Sequence, residues 1–398
     1  MTKGCNKRLS WTRHKFLIFL YLGMLLCSAW AGAPLARVDL TPLLPPIIYA
    51  TVGVPAIVNF ENSILGSGLT QLVFKVECMV GSASAAQWHY TPRAEDVGVH
   101  AFTLSVFSAA GKKLAGASCW LHVSSPAKAL VSPINLLLIG ASQTMATHYP
   151  NRVAVLLDQY PGKGNWRMLG THRTKNALPG VAHEGYGGKS WQWFASNYED
   201  KPDGDYLKRS SPFVFLLEGR PCLDLDRYFK ECNAGIKPDA IVFLIGINDV
   251  FSASADPDNL AEQKYQELFV NAEKLLMEFR RACPQAVFGL GLIPAPNRRS
   301  GAFEHDYKNK YTRAGWLPVW RELIKRQILF AQSAASQGAE IVPLHLCLDP
   351  EKDYPENNAL HPKPEGYAKM GDVVYAWLCA IRTGRVASAS GQASRPVQ

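Results

Sequence analysis

The sequence lacks the closely spaced cysteines that bind structural metal ions. Its nine cysteines include no C-x-x-C pair, and their spacings do not resemble a zinc site. Residues 183–190 end in Gly-Lys-Ser, but a phosphate-binding loop needs a glycine five residues before its Gly-Lys pair, where this chain has His183. We therefore expect neither a zinc ion held by cysteines nor a nucleotide held by such a loop.

Long hydrophobic runs are also missing, and no internal repeat is apparent. The apolar run over residues 16–26 is shorter than a comfortable membrane span. Basic residues precede this run, and small residues suited to cleavage follow it at 29–31. The pattern predicts a signal peptide over residues 1–31 and export to the periplasm or the extracellular space, without stable membrane insertion after cleavage.

A strong excess of one charge is absent once the predicted signal peptide is removed. The whole chain carries 42 Lys and Arg against 33 Asp and Glu, a formal charge of +9. Five basic residues lie in the signal peptide, which leaves 37 against 33, or +4. These five are Lys3, Lys7, Arg8, Arg13 and Lys15. No basic stripe remains, so we do not expect nucleic acid as a partner.

The cysteines of the mature chain leave the question of disulfides open. Seven remain, namely Cys78, Cys119, Cys222, Cys232, Cys283, Cys347 and Cys379. An exported protein can form disulfides, but the odd number leaves at least one thiol unpaired or bonded to another chain. Cys78–Cys119 and Cys222–Cys232 are plausible pairs, and buried free thiols are the alternative.

Residues 32–130 have the pattern of a small all-β domain. Short runs of β-branched and aromatic residues alternate with turn signals, as in a β-sandwich. The runs cover 56–60, 72–78, 101–107 and 117–123. The pieces 88–92 and 95–98 resemble the late strands of an immunoglobulin-like module. No catalytic group stands out in this region, so we expect it to act as a spacer, to present substrate or to pack on the next domain.

Residues 131–383 alternate between strand and helix patterns. The strand candidates are 134–140, 165–169, 240–245, 286–292 and 340–346, and the helix candidates are 149–160, 191–198, 259–282, 317–336 and 365–381. Repeated βα units predict a mainly parallel sheet with helices on both faces, a three-layer α/β/α domain. Residues 384–398 consist largely of small and polar residues, which predicts a disordered tail.

The apolar run 134–140 reads as a strand that is buried on both faces and ends in Gly140-Ala141-Ser142. Ser142 would then lie at the carboxyl edge of the sheet, near the amino terminus of a helix. A serine that merely caps this helix is the simpler interpretation. Three other segments, however, supply the groups that a nucleophilic serine needs.

These segments follow later in the chain and each carries one chemical feature. The glycine-rich loop 183–190 offers backbone N–H groups that a substrate oxygen can approach. Asn248 and Asp249 follow the strand 240–245, where an amide can face developing negative charge. His361 lies just before the last helix. Each feature alone is more often structural than catalytic.

Together the four segments resemble the SGNH (GDSL-type) hydrolase superfamily of esterases and lipases, over residues 133–382. The matching positions are 140–144, Gly188, 246–249, and His361-Pro362 with Gly366-Tyr367 after them. The stretches 183–185 and 309–316 look similar to bacterial carbohydrate esterases within that superfamily. The resemblance implies an acetylesterase-like enzyme whose substrate is an acylated carbohydrate or another small ester, with no metal and no organic cofactor.

The resemblance also implies the residue roles. Ser142 would be the nucleophile and His361 the general base, and the oxyanion hole would comprise the Ser142 and Gly188 N–H groups and the Asn248 side chain. Two positions depart from the family pattern. Ala141 replaces an aspartate, and Asn358 stands where the aspartate partner of the histidine is usual. We expect Asn358 to orient His361, with Asp353, Glu356 or a backbone carbonyl as further candidates.

Two other functions fit the same sequence. The departures at Ala141 and Asn358 suit a weak or inactive esterase-like protein that binds glycans. An esterase acting on lipids or thioesters is the second, and apolar loops around the site would favour it. The aromatic cluster of Trp191, Trp193 and Tyr198 does not separate these alternatives, because such rings stack on sugars and also pack in cores.

Overall fold

The computed structural model describes residues 40, 42–64, 72–202, 208–308 and 310–383. The predicted signal peptide (1–31) and the predicted tail (384–398) lie outside these residues. Within the described ranges, no helix is long and apolar enough to span a membrane.

The amino-terminal region contains two sheets around one core, which confirms the all-β prediction. Its strands are β1 (Ile47–Thr51), β2 (Ala56–Asn59), β3 (Val73–Glu77), β4 (Ser82–Ala83), β5 (Gln87–Tyr90), β6 (Gly98–Phe107) and β7 (Lys113–Ser124). One sheet has the order β1-β7-β6-β3, and the other has β2-β5-β4. Side chains from both sheets, including Val58, Trp88 and Phe102, pack in the shared core. Its likeness to an immunoglobulin module remains a prediction.

The second region is built on a six-stranded parallel sheet. Its strands are β8 (Ile134–Gly140), β9 (Trp166–Leu169), β10 (Glu184–Gly185), β13 (Ala240–Leu244), β14 (Val287–Gly291) and β15 (Glu340–Val342), and a separate hairpin comprises β11 (Val214–Leu217) and β12 (Arg220–Leu223). The order is β10-β8-β13-β14-β15, with β9 also paired to β8 on the β10 side. Every pairing in this sheet is parallel, as predicted.

Helices cover both faces of the sheet. They are α1 (Pro126–Ala129), α2 (Ser142–Met145), α3 (His148–Leu157), α4 (Trp191–Ser196), α5 (Leu225–Cys232), α6 (Ile247–Val250), α7 (Pro257–Ala282), α8 (Ser300–Tyr307), α9 (Arg313–Ala331) and α10 (Pro364–Arg382). Phe288 packs on Phe243, which contacts Phe279 of α7. A side chain on the next residue, Gly289, would meet Trp377 of α10. Successive residues of a strand face opposite sides, so the three-layer α/β/α prediction is confirmed.

Several predicted elements end earlier than expected. The helix predicted over 149–160 begins at His148 and ends at Leu157, and a turn that contains Pro161 follows. The strand predicted over 340–346 ends at Val342. The next residue is Pro343, which has no N–H for the ladder, and a 3₁₀ turn over Leu344–Leu346 follows.

The two plausible disulfides do not form. All seven cysteines of the predicted mature chain are free thiols. Cys119 lies in β7, whereas Cys78 lies just beyond β3, and β6 separates these two strands in the sheet. Cys222 is in the β11–β12 hairpin and Cys232 ends α5. The alternative of unpaired thiols is therefore the one that the structure supports.

The β-sandwich packs against the loop that follows β15. The side-chain amides of Asn59 and Asn62 donate hydrogen bonds to the carbonyls of Leu346 and Leu348, at 3.3 and 2.8 Å. Leu346 belongs to the sandwich core. The predicted domain boundary near residue 130 remains a prediction, and contacts of this kind cross it.

Candidate active site

The order of the sheet determines where its loops meet. From β8 the chain first adds β9 and β10 on one side and later adds β13 on the other side. In such open parallel sheets, ligands bind at the carboxyl ends of the strands where the order reverses. Ser142 follows β8 and Asn248 follows β13, so both lie at this point.

Ser142 occupies a tight strand-to-helix turn. A side chain on Gly140 would lie 2.0 Å from Thr144 Oγ1, so only glycine fits at the end of β8. Ser142 is the first residue of α2, and its N–H therefore has no acceptor within the helix. Its Oγ lies 2.8 Å from Nε2 of His361.

His361 is oriented by Asn358. The Asn358 Oδ1 accepts hydrogen bonds from the backbone N–H groups of Leu360 and His361, at 3.1 and 2.8 Å. These donors establish which atom of the amide is the oxygen, and that oxygen lies 3.1 Å from Nδ1 of His361. An amide oxygen can only accept, so Nδ1 carries the ring proton and Nε2 accepts from the Ser142 hydroxyl.

The charge state of His361 suits a general base. Burial lowers the pKa of His361 from its usual range, and the carboxylate of Asp306 partly opposes this by favouring the imidazolium. The imidazole is therefore neutral near pH 7 and ready to accept a proton.

Gly188 and Asn248 line the same cleft as Ser142 and His361, with a volume of about 660 Å³. Gly188 has a left-handed φ of 73°, and its N–H group donates no hydrogen bond to an acceptor among the described residues. The Asn248 amide donates one hydrogen bond to the carbonyl of Lys189 at 2.9 Å. Its second hydrogen is available to a substrate oxygen. The structure thus brings together Ser142, Gly188, Asn248, Asn358 and His361.

Asp249 connects two segments of the site. Its carboxylate accepts from the N–H of Trp191 at 3.0 and 3.2 Å. This bond ties the first residue of α4, just after the Gly188 loop, to the loop that carries Asn248. Burial raises the pKa of Asp249 to about 7.

A buried carboxylate at the start of the Gly188 loop accepts hydrogen bonds that fix the loop to the rest of the domain. Glu184 is fully buried in β10, and burial raises its pKa. It accepts hydrogen bonds from the N–H and hydroxyl of Thr171 at 2.7 and 3.0 Å, and from the hydroxyls of Tyr186 and Tyr228 at 2.6 and 2.7 Å. The sequence pointed to residues 183–185 only by resemblance, and no local signal identified the distant donors.

Two histidines hold the next residue of that loop. The N–H of Gly185 donates to Nδ1 of His183 at 3.1 Å, and Nδ1 of His172 lies 2.6 Å from the Gly185 carbonyl. The Nε2 of His183 lies 2.9 Å from Thr147 Oγ1. Burial lowers the pKa of His183 to about 3, so it stays neutral. His183 is thus a structural residue of the loop.

The two acidic residues considered as partners of His361 do not serve. Asp353 forms an ion pair with Lys369 at 2.7 Å and accepts from the N–H of Asp349. Glu356 is exposed to solvent. Asp306 contacts the loop instead, where it accepts from the N–H of Ala359 at 2.8 Å. It lies on α8, an element that the sequence pattern did not predict.

Among the described residues, no group of three or more His, Cys, Asp or Glu side chains is arranged to hold a metal ion.

The aromatic cluster proposed from sequence is mainly structural. Trp191 is fully buried and stacks on Phe243 of the central sheet. The aromatic rings that line the cleft are instead Phe251, Tyr307, Tyr311 and Tyr367.

The chain matches no protein-family model and no curated protein at a significant level. It is similar to solved structures of family 3 carbohydrate esterases from Clostridium thermocellum (15% identity, 63% of this chain and 100% of that chain, TM-score 0.39) and Talaromyces cellulolyticus (15%, 62% and 97%, 0.40). A carbohydrate acetylesterase from Sinorhizobium meliloti is also similar (13%, 62% and 99%, 0.38). These values are too low to assign a family, so we base the function on the site itself.

Proposed function

We propose that the protein is an exported serine esterase that hydrolyses carboxylic esters, with O-acetyl groups on a carbohydrate as the substrate class. The observation that supports it most is the 2.8 Å contact between Ser142 Oγ and Nε2 of His361, whose other nitrogen is held by Asn358. A neutral imidazole at this distance can take the hydroxyl proton as the oxygen attacks.

The proposed reaction proceeds through an acyl-enzyme. Ser142 Oγ attacks the ester carbonyl carbon while His361 takes its proton, and the carbonyl oxygen becomes an oxyanion. The N–H groups of Ser142 and Gly188 and the amide of Asn248 donate to this oxyanion. His361 then protonates the leaving alkoxide. His361 next removes a proton from a water molecule, whose oxygen attacks the acyl carbon. The bond between that carbon and Ser142 Oγ then breaks, the carboxylic acid leaves, and His361 returns its proton to Oγ.

The cleft suits a small acyl group on a sugar. Tyr307 and Tyr311 line it beside His361, and aromatic rings offer flat apolar faces on which sugar rings stack. A neutral base and three backbone or amide donors need no metal or organic cofactor. The predicted signal peptide supports a site of action in the periplasm or outside the cell.

A rival function is glycan binding without turnover. Asn358 favours it, because an amide stabilises an imidazolium less than a carboxylate does. An esterase for lipids or thioesters is a second rival, which differs in a longer acyl chain for a lipid and in a sulfur leaving group for a thioester.

Hydrolysis of p-nitrophenyl acetate tests the proposal. We expect turnover by the wild type and a loss of about 10³-fold or more in Ser142→Ala, because Ser142 supplies the hydroxyl that contacts His361 Nε2. Ser196→Ala, which removes an exposed serine hydroxyl of α4, is the matched control and should retain full activity. A wild type that binds acetylated xylo-oligosaccharides but does not deacetylate them supports the binding function. Faster cleavage of p-nitrophenyl palmitate than of the acetate contradicts the carbohydrate assignment.

A further inference from the structure

The proposed mechanism places a positive charge on His361 beside an uncharged partner. When His361 takes the Ser142 proton, both ring nitrogens carry hydrogen, and Asn358 contributes only the dipole of its amide oxygen. A carboxylate near the ring would stabilise this state much more. Asp353 does not meet the need, since Lys369 neutralises it.

Asp306 approaches the same loop from a different element. It lies near the end of α8, and its Oδ2 accepts from the N–H of Ala359 at 2.8 Å. Ala359 follows Asn358 directly and precedes His361 by two residues. The Asp306 side chain is only 20% exposed, so water screens its charge weakly. Its Oδ1 lies 3.3 Å from Nδ1 of the exposed His305, which offsets the charge of Asp306 only when the His305 ring is itself protonated.

The peptide group between Asn358 and Ala359 is held at both ends. Its N–H donates to Asp306, and its carbonyl accepts from the amide of Asn297 at 2.9 Å. Asn297 also donates to the carbonyl of Pro355 at 2.9 Å. The loop that carries both Asn358 and His361 is thereby fixed against α8 and the segment after β14.

The electrostatic effect on the ring has the sign that catalysis needs. The charge of Asp306 raises the pKa of His361 against the lowering by burial. The other titratable side chains that line the cleft near His361 are His148, Tyr307, Tyr311 and Tyr367. Burial raises the pKa of Tyr307 to about 12 and raises that of Tyr367 as well, so neither is anionic at neutral pH.

We propose that Asp306 is a positioning residue that supplies, from α8, the negative charge that Asn358 does not provide to the His361 imidazolium. This inference rests on the proposed esterase function. In this arrangement Asn358 orients the His361 ring and Asp306 supplies the negative charge. A single carboxylate beside the histidine would perform both tasks.

Asp306→Asn tests the charge alone, because the asparagine oxygen can still accept from the Ala359 N–H. We expect kcat for p-nitrophenyl acetate to fall about tenfold at about pH 8, with KM changed by less than about twofold. The acid limb of kcat/KM should move to lower pH, since loss of the anion disfavours the imidazolium. Glu304→Gln removes an exposed carboxylate from the same helix and should change neither quantity.

A double variant distinguishes charge from structure. Asn358→Asp restores a carboxylate directly on Nδ1, and we expect it to return kcat and the acid limb of Asp306→Asn toward the wild-type values. A purely structural role would instead appear as a lower Tm that Asn358→Asp does not rescue. An unchanged kcat and acid limb in Asp306→Asn, or failure of this rescue at wild-type Tm, overturns the proposal.

A readout that needs no turnover separates this inference from the proposed function. Titration of the His361 ring by NMR, with labelled histidine and His361→Gln to assign the signal, should give a lower pKa in Asp306→Asn than in the wild type. If the wild type does not hydrolyse the ester, the esterase function is wrong, and an equal His361 pKa in the two proteins still overturns the role of Asp306.

Discussion

At the scale of single residues, an amide performs the orienting task at position 358. The Asn358 oxygen accepts from two backbone N–H groups as well as from His361, so its orientation is over-determined. The amide therefore specifies the tautomer of His361 as firmly as a carboxylate would. An amide, however, stabilises the positive charge of the His361 imidazolium less than a carboxylate does. A separate anion near the ring can supply the missing stabilisation.

The pH dependence of the reaction follows from the burial of His361. The reaction needs the neutral imidazole, and burial lowers its pKa, so activity should persist as the pH falls and disappear only below the usual histidine range. We expect the acid limb of kcat/KM for p-nitrophenyl acetate to have its midpoint below about 6.5. Initial rates between about pH 4 and pH 8 measure it. A midpoint at or above that value would show that burial is not the dominant influence on His361.

At the scale of elements, the Gly188 loop is held by the buried network beneath it. Glu184 joins β10 to the donors Thr171, Tyr186 and Tyr228, two of which lie outside the loop. Because Gly188 itself is exposed and has a left-handed backbone, its position depends on this support. The position of the Gly188 N–H, a donor of the proposed oxyanion hole, therefore depends on the whole connection from β10 to this loop.

Glu184→Ala should destabilise the protein strongly. It leaves four donor groups without their acceptor, two of them the hydroxyls of the buried Tyr186 and Tyr228, and we expect the free energy of unfolding to fall by about 3 kcal/mol or more in urea denaturation. Glu184→Gln keeps one side-chain oxygen and should lose less. Glu77→Ala, at an exposed position of β3, should change the value by less than about 0.5 kcal/mol. Equal stability of Glu184→Ala and the wild type would contradict this account of the loop.

At the scale of the whole molecule, the β-sandwich contacts the segment that holds the loop of Asn358 and His361. Its Glu61 pairs with Arg298 and lies 3.4 Å from Arg313. Arg298 follows Asn297, which holds the loop of Asn358. The sandwich therefore contacts the α/β region through buried amides and through this ion-pair group.

Asn62→Ala measures how much the contact between the β-sandwich and the α/β region contributes to the stability of the protein. Asn62 is buried, and its loss leaves the carbonyl of Leu348 without its donor. We expect the free energy of unfolding to fall by about 1–3 kcal/mol, in a single transition, since both regions share the interface. Asn271→Ala on α7, whose amide bonds only its own helix, is the matched control and should change it by less than about 0.5 kcal/mol. Two separate transitions in the wild type would indicate regions that unfold independently.

The sequence pattern predicts much of the local structure correctly. The strand predicted over 134–140 has those bounds, because an apolar run of strand length that is interrupted only by Asn135 and ends in glycine favours a buried strand. The last helix, Pro364–Arg382, differs from its prediction by one residue at each end. In contrast, α5 was missed although Asp224 caps it, and α8 was missed because it is only eight residues long and contains Gly301.

The sequence by itself determined the order of the longer strands and helices, the glycine turn before Ser142 and the four segments that carry the polar groups. Only the tertiary structure decided that His361 faces Ser142, that Asp249 binds Trp191 and that Asp306 reaches Ala359. The physical reason is range. Propensity, periodicity and turn chemistry act over a few residues, whereas these contacts join positions that are between 53 and 219 residues apart, which only the packing of the sheet and its helices brings together.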